Sequence, residues 1–141
     1  MLRNPKHKMQ LEINKIIEEF SAFEDWMEKY DYLISLGKSI PKMDEKYKIE
    51  KNLIRGCQTN VWLHSELVDG KVIFTADSDS KITSGMILLL IRVFSGITPD
   101  EIQNGNLDFV SKVGLMEHIS PTRSNGLLNM FKQMQSDALT L

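Results

Sequence analysis

The segment from Ile82 to Phe94 constrains this chain more than any other. Ile82, Met86, Ile87, Leu88, Leu89, Leu90, Ile91, Val93 and Phe94 make it apolar nearly all round, and a helix without a polar face belongs in a protein interior. Its longest uninterrupted apolar run, Met86 to Ile91, ends at Arg92, far short of the ~20 residues that cross a bilayer. The segment therefore reads as the buried spine of a soluble domain. At 141 residues, a chain typically buries about two-thirds of its unfolded surface. One core suffices at that size, so residues 1–141 are expected to form a single domain, with about residues 1–8 as a flexible N-terminal tail.

The remaining elements have to cover the spine. Met9, Ile13, Ile16, Ile17 and Phe20 recur at helical spacing and predict an amphipathic first helix. Ser21 followed by Glu24 has the spacing of a capping box, predicting a second helix with a stripe of Phe23, Met27, Tyr30, Leu33 and Ile34 that Gly37 stops. Lys38 to Asn52 is charged, contains Pro41 and lacks periodicity; so long a connection is read as shaping one wall of a site. The pattern then alternates, with Val61, Leu63 and Ser65 facing one way and Trp62, His64 and Glu66 the other. Val68-Asp69-Gly70 turns the chain and Lys71 to Thr75 returns it, which predicts an antiparallel hairpin. Leu53 and Ile54 add a third short strand, placing Cys57 on a loop at the end of the sheet.

Asp77-Ser78-Asp79 supplies oxygen-bearing side chains and carboxylates to open the spine helix. Thr98-Pro99-Asp100-Glu101 starts a short helix, and Ser120-Pro121-Thr122-Arg123 starts the last one, whose apolar face is Leu127, Leu128, Met130, Phe131 and Met134. Arg123 thus falls in a first turn, where a cation opposes the helix dipole; this implies an anionic partner elsewhere in the fold.

Net charge is −2, a balance that gives no electrostatic footprint for nucleic acid and favours protein or small-molecule partners. Basic residues in Arg3-Asn4-Pro5-Lys6-His7-Lys8 are followed by Leu11, Ile13, Ile16 and Ile17 interleaved with charge, so no export signal is evident. Cys57 is the single cysteine and has no partner for a disulfide, making a cytoplasmic location the expectation. One thiol also cannot complete a multi-cysteine zinc site or an iron–sulfur cluster. His7, His64 and His118 lie too far apart in sequence to form a ligand set, and a zinc site from Cys57, Asp79 and one histidine lacks any local ligand pair. No metal is expected. A Cys–His hydrolase would need one of these imidazoles beside the thiol and an oxyanion hole, and neither has a sequence signal.

What remains is a lone nucleophile, a lone carrier or inert packing. Free cysteines are commonly small core hydrophobes, but Cys57 follows Gly56 at a junction where the chain changes direction, as functional nucleophiles often do. Arg55 is a cation that either favours the thiolate or pairs at the surface.

Three motifs carry a family resemblance. Arg55-Gly56-Cys57-Gln58-Thr59-Asn60-Val61-Trp62-Leu63, then Asp77-Ser78-Asp79-Ser80-Lys81-Ile82 leading into Gly85, then Ser120-Pro121-Thr122-Arg123-Ser124-Asn125-Gly126-Leu127 resemble, in order and spacing, the SufE family of sulfur-acceptor proteins. The similarity runs from about Ile16 onward. It implies an α+β fold, a small antiparallel sheet of about three strands packed against helices in a two-layer sandwich like that of IscU-type scaffolds; the elements above are compatible. It also implies that a SufS-type cysteine desulfurase, which carries pyridoxal phosphate, passes sulfur as a persulfide to Cys57. From there the sulfur goes to an iron–sulfur scaffold, and its removal stimulates the desulfurase. The protein itself would hold no cofactor and would be a transfer partner rather than an enzyme, acting as a monomer or weak homodimer away from membranes. Cys57 carries the chemistry in this reading, with Arg55, Gly56, Gln58, Asp79 and Arg123 supporting it or binding the partner.

A solitary thiol suits such a carrier, because a second cysteine nearby would attack the persulfide and release sulfide. Three rivals stay open: a cluster scaffold, which normally needs about three thiolates; a single-cysteine redox protein passing through sulfenic acid; and a purely allosteric adaptor.

Overall fold

The computed structural model describes residues 5–141, with side chains from Lys8 onward. In chain order the elements are α1 (Pro5–Ser21), α2 (Trp26–Lys38), β1 (Val61–Val68), β2 (Lys71–Ser78), α3 (Lys81–Phe94), α4 (Pro99–Gln103), α5 (Asp108–Lys112), α6 (Leu115–His118) and α7 (Pro121–Thr140). Short 3-10 turns at Glu45–Tyr47 and Glu50–Asn52 interrupt the connection between α2 and β1. The fold is α+β, an antiparallel hairpin packed against helices.

The spine is α3, where Ser84, Gly85, Met86, Ile87, Leu89, Leu90, Val93 and Phe94 are all buried. Helices α1, α2 and α7 and strand β2 cover it. Its cap is Ser80, whose side chain accepts from the Thr83 N–H, so Asp77 and Ser78 finish β2 instead of opening the helix. Helix α2 crosses α3 at very short range. A Cβ added to Gly37 would strike the Lys81 carbonyl, and one added to Gly85 would strike the Leu33 carbonyl. Gly37 is therefore a buried crossing point inside α2, not its stop signal.

Two other boundaries differ from the sequence expectation. Ser21 ends α1, its hydroxyl donating to the Glu18 carbonyl, while Asp25 caps α2 by accepting from the Glu28 N–H at 2.8 Å. The Asp25/Glu28 pair repeats the Ser21/Glu24 spacing one turn later, and this later start seats Leu33 and Gly37 on the spine. Helix α1 begins at Pro5, inside the stretch expected to be a tail, and Lys8 Nζ donates to the Ser95 carbonyl at 2.7 Å. Residues 1–4 of that tail lie outside the described residues.

The hairpin register runs from Val61↔Ser78 to Val68↔Lys71. Val61, Leu63, Val72, Phe74 and Ala76 face the core, as alternation dictates. The sheet has two strands where about three were expected. Leu53 makes an isolated bridge to Trp62, and Ile54 N–H donates to the Val61 carbonyl at 2.9 Å. A 3-10 turn before Leu53 and a left-handed Gly56 after Ile54 leave too little extended chain for a strand.

Arg92 of α3 forks onto Glu19 of α1, at 2.9 Å from Nη1 and 2.6 Å from Nη2, and the Tyr32 hydroxyl of α2 donates to the same carboxylate. This pair holds the Glu19 carboxyl below its ordinary range, whereas burial and the adjacent carboxylate push the Tyr32 hydroxyl up to about 12. Helix α4 has the predicted capping box of Thr98 and Glu101, and Ser120 caps α7 by accepting from the Arg123 N–H. The short helices α5 and α6 have too few residues for periodicity to announce them.

Candidate functional site

The loop from Arg55 to Asn60 joins the Leu53 bridge to β1 and is fastened at both ends. Gly56 has φ +80°, a backbone region in which side-chain-bearing residues are strained. A Cβ there would also collide with the side-chain amide of Asn129, which donates to the Arg55 carbonyl at 3.2 Å. At the far end Asp79 N–H donates to the Asn60 carbonyl at 3.3 Å, and the Thr59 and Ser78 hydroxyls lie 3.3 Å apart. Cys57 sits between these fastenings.

Its half-buried thiol rests against α7, with Sγ 3.8 Å from the Gly126 carbonyl oxygen. A Cβ at Gly126 would lie 3.2 Å from Sγ, so the missing side chain makes the thiol's seat. Beside the sulfur is a cavity of about 20 Å³ walled largely by Val61, Met86, Ile87, Leu127 and Met130. That is room for about one small guest, given that ~10–15 Å³ admits a water. Burial pushes the Cys57 thiol above its ordinary value, because the low-dielectric surroundings disfavour a thiolate.

Arg123 lines the same cavity. Its Nε is buried without a hydrogen-bond partner, and among the described residues the guanidinium makes no ion pair. The anionic partner inferred from its place in the first turn of α7 is therefore not found among them. An unpaired buried donor on a residue that lines a cavity leaves a hydrogen-bonding capacity unspent.

The six residues singled out by sequence separate in space. Cys57, Gln58 and Arg123 line the cavity. Gly56 supplies the bend before the thiol, and the exposed Arg55 lines a separate open groove. Desolvation is the cause of the thiol's upward shift, and Arg55 lines the neighbouring groove instead of the thiol's cavity. Asp79 is exposed, lies outside the cavity wall and ties the loop through its backbone N–H alone. Gly126 and Asn129 join the site without a strong sequence signal: the one available is a glycine inside an amphipathic helical pattern, where it costs ~1 kcal/mol against alanine.

Neither described imidazole reaches the thiol's cavity. His64 stacks on Tyr47 and its Nε2 lies 2.7 Å from Glu66, while His118 stacks on Trp26; the His7 side chain lies outside the described residues. Among the described residues no three His, Cys, Asp or Glu side chains gather as metal ligands. The 38–52 connection anchors itself by the buried Met43 and lays Tyr47 and Lys48 over the outer face of the hairpin, with Lys48 Nζ 2.9 Å from Asp77. It forms no part of the thiol cavity. None of the helices in the described residues is long and apolar enough to cross a membrane.

Comparison with known proteins places the chain in a family and supports the fold. A solution structure of a hypothetical protein from Thermus thermophilus shares the fold, with a TM-score of 0.74 over 92% of this chain and 97% of its own, at 21% identity. An uncharacterized SufE-like protein of Synechocystis sp. is 38% identical over 125 residues, covering 89% of this chain and 79% of the relative. One from Rhizobium meliloti is 34% identical over 131 residues, covering 89% and 94%. SufE-like protein 1, chloroplastic/mitochondrial, of Arabidopsis thaliana is 35% identical over 138 residues, which make up 97% of this chain and 37% of the longer plant protein. The family model for SufE, the Fe-S metabolism associated domain, matches residues 14–138. With that match spanning nearly all of its elements, this chain belongs to the SufE family of iron–sulfur metabolism domains.

Proposed function

We propose that this protein is a sulfur carrier: Cys57 accepts the terminal sulfur of a persulfide held by a SufS-type, pyridoxal-phosphate cysteine desulfurase and passes it on for iron–sulfur cluster assembly. The observation that carries the reading is a solitary thiol seated beside a cavity of about one atom's capacity, on a loop pinned at both ends, with the half-buried Arg123, whose Nε has no hydrogen-bond partner, in the same cavity wall.

The chemistry follows from the thiol's two environments. Closed, Cys57 is desolvated and protonated, a poor nucleophile. In the docked complex the loop between Gly56 and Asn60 swings outward, the thiol regains a polar environment and ionises. The thiolate attacks the outer sulfur of the donor persulfide, a new S–S bond forms on Cys57, the donor S–S bond breaks and its cysteine leaves as thiolate. No external oxidant or reductant is consumed. On return, the added sulfur occupies the cavity, and Arg123 supplies the charge that supports the persulfide anion. Emptying the donor frees the desulfurase for another turnover, so stimulation follows from transfer without a catalytic site or cofactor on this chain. A cytoplasmic setting, and a monomer or weak dimer, suit a carrier that shuttles between larger partners.

The geometry also weighs against the redox alternative. Peroxide-reactive cysteines are accessible and acidic, whereas burial makes this thiol less acidic. The deciding experiment incubates the protein with a SufS-type desulfurase and free cysteine, then analyses the Cys57 peptide by mass spectrometry. One added sulfur, removable by reductant, is the expected result. An unmodified Cys57 peptide alongside full stimulation would replace the carrier with an allosteric adaptor.

A further inference from the structure

The chain just before Cys57 borders a second space. An open groove of about 630 Å³ lies between residues 51–56 and α7, floored in part by Gly56 and Asn129. Its charged wall residues are Lys51, Arg55 and Lys132, and it has no carboxylate in its wall. Among the described residues none of the three cations makes an ion pair. Asp137, one residue beyond the groove wall on α7, is engaged by the Ser65 hydroxyl at 2.6 Å and the Gln133 amide at 2.8 Å. A protein of net charge −2 thus gathers unneutralised positive charge beside its one thiol.

We propose that this groove docks a carboxylate-bearing surface segment of the desulfurase that delivers sulfur to Cys57. The proposal rests on the carrier reading above. The three cations are exposed and come from two separate segments, spread along an open trough. A site for a small anion would instead converge buried donors on one point, whereas spaced, solvated cations complement charges distributed along a protein surface. Position adds a second reason. Arg55 stands two residues before Cys57, and its carbonyl is held by Asn129 from the groove floor. A segment seated here sets the loop against the donor and steers the encounter electrostatically.

The test compares wild type with a Lys51→Glu/Lys132→Glu protein, two exposed substitutions, and with a Lys51→Arg/Lys132→Arg control. Desulfurase turnover is followed against carrier concentration at low and high salt, with the mass of the Cys57 peptide read in parallel. Charge reversal should raise the half-saturating concentration about ten-fold at low salt, an effect that salt compresses as the Debye length shrinks; the arginine pair should track wild type. Equal half-saturation in all three proteins, with sulfur found on Cys57, would overturn the groove proposal and leave the carrier reading standing. Absence of sulfur on wild-type Cys57 would remove the carrier reading, and titration with a hexaglutamate peptide, monitored at the Lys51, Arg55 and Asn129 amides, then decides the groove. Peptide-induced shifts lost on charge reversal support carboxylate docking. No shifts, or the same shifts from inorganic phosphate at equal concentration, overturn it.

Discussion

Gly126 governs how Cys57 is stored. The sulfur occupies space that a Cβ would claim at 3.2 Å, closer than comfortable contact. Gly126→Ala should therefore lift the thiol outward, raising its rate of exchange with a chromogenic disulfide reagent at neutral pH several-fold, read from the coloured thiolate released. In the wild type, burial holds the thiol above its ordinary value, so alkylation should have its pH midpoint above that of the unfolded chain. The sign for stability follows: the buried neutral thiol contributes fully below its unfolded value, and the contribution is lost as pH rises through the higher folded one. Cys57→Ser should remove this alkaline limb and abolish sulfur loading. Most of this site was legible because Arg55 to Leu63 and Ser120 to Leu127 are short, ordered motifs. Arg55's separation from the thiol and Arg123's lack of an ion pair were not, since both depend on where side chains end in three dimensions.

At the level of elements, the α2–α3 crossing is the least forgiving contact. Gly37 and Gly85 each face backbone carbonyls of the opposite helix, and backbone cannot move aside as a flexible side chain can. Gly37→Ala or Gly85→Ala should destabilise the fold by ~2–3 kcal/mol, despite alanine's better helix propensity, as read from the urea midpoint. Glycine in a helix pattern reads locally as a terminator, and only the partner helix reveals the spacing role. The start of α2 was ambiguous for a similar reason: Ser21/Glu24 and Asp25/Glu28 offer the same local cap, and tertiary packing chooses between them. The third strand failed because a 3-10 turn and Gly56 bracket Leu53 and Ile54, features that hydrophobicity does not encode.

Across the molecule, the Glu19–Arg92 fork ties the first helix to the spine, with Tyr32 of α2 on the same carboxylate. The lowered Glu19 pKa means this stabilisation is complete above the ordinary value of 4.5 and is lost as pH falls through the lower folded value. Glu19→Gln should cost ~1 kcal/mol at neutral pH, the pair being partly solvated, and should flatten the acid limb of the stability profile measured by denaturant titration at pH 3 to 7. The buried core was legible at this scale because the apolar spine left a single arrangement: helices and a hairpin had to enclose it.

The cavity beside Cys57 also acts as a gauge. Its about 20 Å³ matches a single added atom and is far smaller than a tripeptide, so a mixed disulfide with a thiol such as glutathione would have to extend through the cavity's open side. If Cys57 carries sulfur as proposed, correct loading would leave the outer surface of the loop unchanged, whereas mistaken loading would alter it. Cargo size alone would then tell a downstream acceptor which copies to engage.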